Sequence, residues 1–161
     1  LDEIRIEEQD EEEQEDEPEI PDYILNPDME MPVQRIDGVE YIGVLQIPSL
    51  NLELPVISSL SPPSLKIAPC RYEGSAYKDD LIIAAHNYVS FFGNLSKLQV
   101  GDPVIFKDVD GNEFSYEVAE MEVLQGVAVD EMMSGDWDLT LFTCTLSGQS
   151  RTTIRCLRMN I

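Results

Sequence analysis

From Val39 onward the pattern of apolar and polar positions is one of short apolar stretches broken by turn residues, the texture of strands rather than of helices. Tyr41-Ile42-Gly43-Val44-Leu45-Gln46-Ile47-Pro48 reads as one strand. Leu52-Glu53-Leu54-Pro55-Val56-Ile57 reads as a second, with Asn51 at the turn between them. Ser58 to Ser64, with Pro62 and Pro63, reads as a loop. Leu81-Ile82-Ile83-Ala84-Ala85 is a short apolar strand that ends on His86. Phe91 to Leu98 reads as a short helical or 3₁₀ segment, and Gly101-Asp102-Pro103 restarts the chain into Val104-Ile105-Phe106. Asp110-Gly111 is a hairpin signal, followed by the alternating Phe114, Tyr116 and Val118. A short helix is expected within Val127–Ser134, ended by Gly135. The last two strands are expected at Leu139–Thr145 and Thr152–Met159. Short strands, few helices and frequent turn signals predict an all-β barrel or sandwich without internal repeats.

The N-terminal quarter has a different texture. Residues 1–40 carry 17 acidic and 2 basic side chains, net −15, out of −22 for all 161 residues. Residues 1–38 are therefore read as an acidic tail or linker ahead of a single domain over 39–161. The alternative is a segment that folds back as a lid, using Ile4, Ile6, Ile20, Tyr23, Ile24, Leu25, Met29 and Met31. Pro18, Pro21, Pro27 and Pro32 exclude one long helix there. If the segment is a lid, removing residues 1–38 should raise activity on short peptides, and unchanged rates would sink that idea.

The acidity changes the list of partners. A nucleic-acid surface would be basic, and an anionic membrane would repel this chain. No apolar run reaches transmembrane length. The chain opens on Leu1 rather than Met, which suggests a trimmed or processed product that a signal peptide or membrane anchor could have preceded.

Three cysteines leave at least one thiol outside any intramolecular disulfide. Cys70 and Cys156 are expected as buried thiols, with pairing between them the alternative. Cys144 closes the run Thr140-Leu141-Phe142-Thr143-Cys144, seven residues before Arg151. His86, the only histidine, precedes it by fifty-eight residues. A thiol attacks a carbonyl as thiolate, which a neighbouring imidazolium or guanidinium favours. A guanidinium also donates to the oxyanion that forms. Cys144 is the candidate nucleophile, His86 the proton carrier and Arg151 the oxyanion donor. Arg155 and Arg158 compete for the last role, and Arg155 shares a strand face with Arg151 because their spacing is even. Cys-before-His order and a helix-borne cysteine would mark a papain-like peptidase, and both are reversed here.

These residues resemble the sortase family, the cysteine transpeptidases of Gram-positive cell surfaces. Thr140-Leu141-Phe142-Thr143-Cys144 fits the family's TLxTC strand, and Arg151 in Arg151-Thr152-Thr153-Ile154-Arg155 fits its arginine. Ala85-His86-Asn87 fits its histidine, although many members have Gly where Ala85 stands. Tyr41–Pro48, Leu54-Pro55-Val56 and Phe92-Gly93-Asn94-Leu95, with Leu98 and Gly101-Asp102, extend the similarity over about residues 39–161.

The resemblance implies an eight-stranded β-barrel with one or two short helices. It implies cleavage of an LPxTG-like sorting signal through a Cys144 thioester, and transfer to an amine of peptidoglycan precursor or a pilin. Surface proteins with a C-terminal sorting signal would be the substrates, at the extracytoplasmic face of a Gram-positive membrane. Thr143 and a pocket of Val127, Ala128 and Val129 are the expected substrate contacts. Trp137 and Phe142 are read as packing. No cofactor is called for. Glu73, Asp79, Asp80, Asp130, Glu131 and Asp136 suggest calcium, but without EF-hand spacing a solvated acidic face is favoured and no metal is expected. The alternatives are a hydrolase-biased cysteine peptidase and a catalytically silent β-barrel interaction module.

Overall fold

In a computed structural model of the protein, residues 20–86, 88, 91–125, 136–144 and 150–159 are described. Nine strands form one antiparallel-rich sheet: β1 (Gln34–Ile36), β2 (Val39–Ile47), β3 (Leu52–Ile57), β4 (Cys70–Glu73), β5 (Leu81–His86), β6 (Pro103–Asp108), β7 (Glu113–Gln125), β8 (Leu139–Cys144) and β9 (Ser150–Arg158). Their order is β1-β2-β3-β4-β5-β8-β9-β7-β6, and β6 returns to pair with β2. Strands β2 to β9 thus close into an eight-stranded barrel, and closure removes the exposed edges of the sheet. β1 is a hairpin arm on β2, turned through Asp37 (φ 52°) and Gly38 (φ 81°). Two positive φ values suit the tight turn that matches strand twist.

Closure needs a backbone that can be paired on both sides. Gly43 in β2 faces Val56 on one edge and Asp108 on the other. A Cβ there would lie 2.2 Å from the Lys107 carbonyl oxygen, so only glycine permits this approach.

The barrel interior is filled by residues of β2, β3 and β5 to β9. Ile42, Leu45, Ile47, Val56, Leu81, Ile83, Val104, Phe106, Leu139, Leu141 and Ile154 have no exposed surface. Phe114, Tyr116 and Val118 of β7 join them as their alternation predicts. A bulge between Val118 and Glu120 then shifts the phase, so Met121 packs inward while Glu120 and Glu122 turn out.

Among the described residues two short helices complete the fold, α1 (Asp22–Leu25) and α2 (Pro62–Leu65). The second lies where the sequence reads as a loop. Its start is nonetheless encoded: the Ser61 hydroxyl accepts from the Ser64 N–H at 3.2 Å, and Pro62 and Pro63 open the first turn. The segment after His86 holds a 3₁₀ turn at Leu95–Lys97, anchored by buried Phe92, Leu95 and Leu98. The helix expected within 127–134 falls outside the described residues.

Before β1, the chain packs on one pole of the barrel. Tyr23 stacks on Tyr77 with ring centroids 4.7 Å apart and leans on Phe114 at 5.2 Å. Met31 is buried in the main core. Tyr77 precedes β5 and Phe114 opens β7, so these contacts sit at the barrel end away from His86.

Candidate active site

Parallel pairing of β5 and β8 brings His86 and Cys144 to the same row of the sheet. The register runs from Leu81↔Leu139 to His86↔Cys144, so both stand at the C-terminal ends of adjacent strands. Leu81, Ile83 and Ala85 fill the barrel, as do Leu139 and Leu141. Strand alternation therefore puts positions 82, 84 and 86 of β5, and 140, 142 and 144 of β8, on the outer face.

That outer face is covered where it is apolar. Ile82, Ala84 and Phe142 form a second cluster, flanked by Leu60, Tyr72 and Leu124. Tyr72 meets the Phe142 ring edge-on, 5.3 Å between centroids at 86°. Leu60 and Tyr72 also line a surface cavity of about 400 Å³ that runs to Glu30, Arg71 and Glu73. The cavity is mostly polar, and Leu60 and Tyr72 are its contact with the buried apolar cluster.

Arg151 comes to the same place from β9. The antiparallel register of β8 and β9 ends with Phe142↔Thr153, and the Thr152 N–H donates to the Thr143 hydroxyl at 3.1 Å. Continuing that count sets Arg151 across from Cys144. Its guanidinium carbon lies 5.3 Å from the Phe142 ring centroid, a cation–π contact on the outer face. Thr143, 6% exposed, points the other way and ties β8 to β9.

His86 is half-buried, and its ring lies 4.8 Å from that of Tyr88 at 36°. The His86 carbonyl accepts from the Phe92 N–H at 3.2 Å, which fixes how the chain leaves the strand. The Tyr88 contact carried no sequence signal, because the loop around it has no regular period.

The other two arginines lie elsewhere. Arg158 is at the far end of β9, bonded to Asp79 at 2.9 Å and placed 4.7 Å over Phe114. Arg155 is almost fully buried, its Nε 2.7 Å from a Glu122 carboxylate oxygen. Val127, Ala128 and Val129 fall outside the described residues, as do Asp130 and Glu131.

The remaining thiols are different in kind. Cys70 and Cys156 are buried and not disulfide-linked. Burial pushes the Cys156 thiol up to about 12, which keeps it protonated and unreactive at neutral pH. Among the described residues no cluster of His, Cys, Asp and Glu could hold a metal ion. Asp79 is paired with Arg158, and Asp80 accepts from the Ser75 N–H. No helix among them is long and apolar enough to cross a membrane.

Comparison with known proteins adds the family. Residues 45–158 match the family model described as Sortase domain. Sortase C1 from Streptococcus agalactiae superposes with a TM-score of 0.68 at 22% identity, over 90% of this chain and 79% of that one. Sortase C1 of GBS pilus island 1 gives 0.65 at 23%, over 75% of this chain and 65% of that one. Sortase A from Corynebacterium diphtheriae gives 0.65 at 21%, over 76% and 62%. At these identities the likeness to each structure is one of fold. The matched region spans just under two thirds of the last two proteins. No curated protein matches this chain in sequence.

Proposed function

The chain belongs to the sortase family, and from that premise we propose that it is a cysteine transpeptidase acting on LPxTG-like sorting signals. The observation that carries the reading is the in-register pairing of His86 with Cys144, with Arg151 over the adjacent Phe142. In the proposed reaction the Cys144 thiolate attacks the signal's scissile carbonyl. The oxyanion accepts hydrogen bonds from the Arg151 guanidinium. His86, as imidazolium, gives its proton to the departing amine, and the C–N bond breaks to leave a Cys144 thioester. An incoming amine then attacks the thioester, the neutral His86 takes its proton, and the C–S bond breaks to return the thiolate.

The acyl acceptor is an amine of peptidoglycan precursor or a pilin lysine, and the donor is a surface protein carrying the signal near its C-terminus. The reading places the domain at the extracytoplasmic face of a Gram-positive membrane. The partly exposed Leu60 and Tyr72, at the edge of the buried Ala84–Phe142 cluster, suit the apolar side chains of an extended signal peptide. Thr143 acts through the β8–β9 pairing, while Val127, Ala128 and Val129 are assigned the signal's apolar side chain. Residues 1–38 are assigned as an acidic N-terminal segment ahead of the catalytic barrel of 39–161, with Tyr23, Met31 and β1 packed on that barrel.

Mass spectrometry on the protein, a panel of LPxTG-like peptides and an amine tests this. Peptide cut and joined to the amine, and lost in Cys144→Ala, is the expected result. Cutting without joining makes it a hydrolase. No product, with Cys144 no more readily alkylated than Cys70 or Cys156, leaves a silent β-barrel module.

A further inference from the structure

Glu122 stands opposite Thr153 in the β7–β9 register, between the rows of Arg151 (opposite Leu124) and Arg155 (opposite Glu120). Diagonal neighbours across an antiparallel pair lie about 7–8 Å apart, within reach of long side chains. One carboxylate on the outer face is therefore placed between two arginines of the same strand. It goes to Arg155: Nε to Oε2 is 2.7 Å, and a terminal nitrogen of Arg155 donates to the Thr140 hydroxyl at 3.1 Å. Arg155 is 1% exposed, whereas the Glu122 side chain keeps 28% of its surface. Arg151 meanwhile lies over Phe142.

We infer that Arg155 is a positioning residue for the transfer reaction: by holding the Glu122 carboxylate it keeps the Arg151 guanidinium over Phe142, on the outer face near the end of β8. The inference rests on the proposed transpeptidase reading for its effect on rate. A carboxylate released from Arg155 has one other cation on its face, two rows up. A salt bridge from Glu122 to Arg151 would draw the guanidinium away from β8 and neutralise the charge that favours the thiolate and the oxyanion. Thr140 supports the arrangement from β8. The threonine that opens the TLxTC-like run thus acts on the site through Arg155.

The test compares the full chain with Arg155→Met, Glu122→Gln, the double variant and Arg155→Lys. For each, kcat and KM of peptide-to-amine transfer are measured beside the rate of Cys144 alkylation by iodoacetamide, with buried Cys70 as internal reference. Arg155→Met is expected to lower kcat by at least about tenfold, part of the hundredfold or more that loss of an oxyanion donor costs. It should slow Cys144 alkylation as well. Adding Glu122→Gln should restore most of both losses, and Arg155→Lys should keep them near wild type.

A double variant no better than Arg155→Met, or an Arg155→Met protein with unchanged kcat and alkylation, overturns the inference. If Arg155→Met does not fold, Leu124→Glu against Leu124→Gln sets a carboxylate opposite Arg151 with the Arg155–Glu122 pair intact. Equal rates for those two overturn it as well. If wild type itself joins no peptide to any amine, the transpeptidase reading falls. The alkylation series then still decides whether Arg155 governs the pairing of Arg151 with Cys144.

Discussion

Phe142 is one residue through which the barrel holds Arg151, and a double-mutant cycle can measure its share. The ring is 1% exposed, with the Tyr72 edge on one side and the Arg151 guanidinium 5.3 Å away. Phe142→Leu keeps an apolar side chain, so the lost volume should cost on the order of 1 kcal/mol. The edge-on aromatic pair adds about 0.5–1.5 kcal/mol. The cation–π contact adds about 0.5–1 kcal/mol, the range for a site open to solvent, because Arg151 is only half-buried. The single variant is therefore expected to lose about 2–3 kcal/mol of stability. Crossing it with Arg151→Met isolates the ring–guanidinium term, since Leu and Met preserve bulk and remove only the interaction. Urea titrations followed through Trp137, the only tryptophan, give the four stabilities. The expected coupling is about 0.5–1 kcal/mol, enough to change the fraction of molecules with Arg151 in place by up to roughly fivefold. A coupling of zero within error would show that Arg151 is held by something other than Phe142.

Three further predictions test the frame around the site. Tyr23→Ala should cost about 1–3 kcal/mol through its two aromatic contacts, read by thermal melting, while the transfer rate per folded molecule stays unchanged because Tyr23 packs at the opposite pole. Gly43→Ala should cost at least about 3 kcal/mol, because its Cβ meets backbone rather than a movable side chain, and hydrogen exchange at Leu45 and Phe106 should report the loosened β2–β6 seam. Burial raises the Cys156 thiol from its ordinary 9.0 to about 12. The folded state then holds a proton that the unfolded state has lost, so this stability is full below pH 9 and falls by about 1.4 kcal/mol per pH unit above it. Urea midpoints between pH 8 and 10 should fall more gently for Cys156→Ala, and equal slopes would refute the assignment.

Much of the architecture was legible because the interior is written by alternation. β3 has the bounds that Leu52–Ile57 predicts, β5 runs one residue further than expected, and β8 fills the described part of the expected Leu139–Thr145. Legibility failed where the pattern is short or interrupted. β1 is three exposed residues held only by the hairpin to β2, and Cys70–Glu73 is too brief to show a period. β7 extends from Glu113 to Gln125, but the bulge reverses its phase after Val118, so its glutamate-bearing half does not read as a strand. The Ser61-Pro62-Pro63 cap was hidden among loop-forming residues. At the site, His86, Cys144 and Arg151 could be singled out by chemistry. The groove residues Leu60, Tyr72 and Leu124 could not, because ordinary apolar residues on three separate elements become neighbours only when the barrel closes. Nor could sequence divide the three arginines: even spacing put Arg151 and Arg155 on one face, and only the register with Glu122 separated their surroundings.

The same six residues of β8 serve the core and the site, and this explains why the chemistry is so compact in sequence. Leu141 fills the barrel, and Thr143 fastens β8 to β9 through the Thr152 N–H. Thr140, Phe142 and Cys144 occupy the outer face, where Thr140 meets Arg155 and Phe142 lies beneath Arg151. A one-residue slip of the strand would exchange the two sets completely. The buried residues therefore fix more than stability: they set the register that pairs position 144 of β8 with position 86 of β5. His86 lies fifty-eight residues earlier because β5 and β8 run parallel. A parallel neighbour needs a long crossover, here occupied in part by the β6–β7 hairpin. That hairpin closes the barrel on β2 and supplies Glu122 to Arg155, so the connection that separates the reactive pair in sequence also builds the wall behind Arg151.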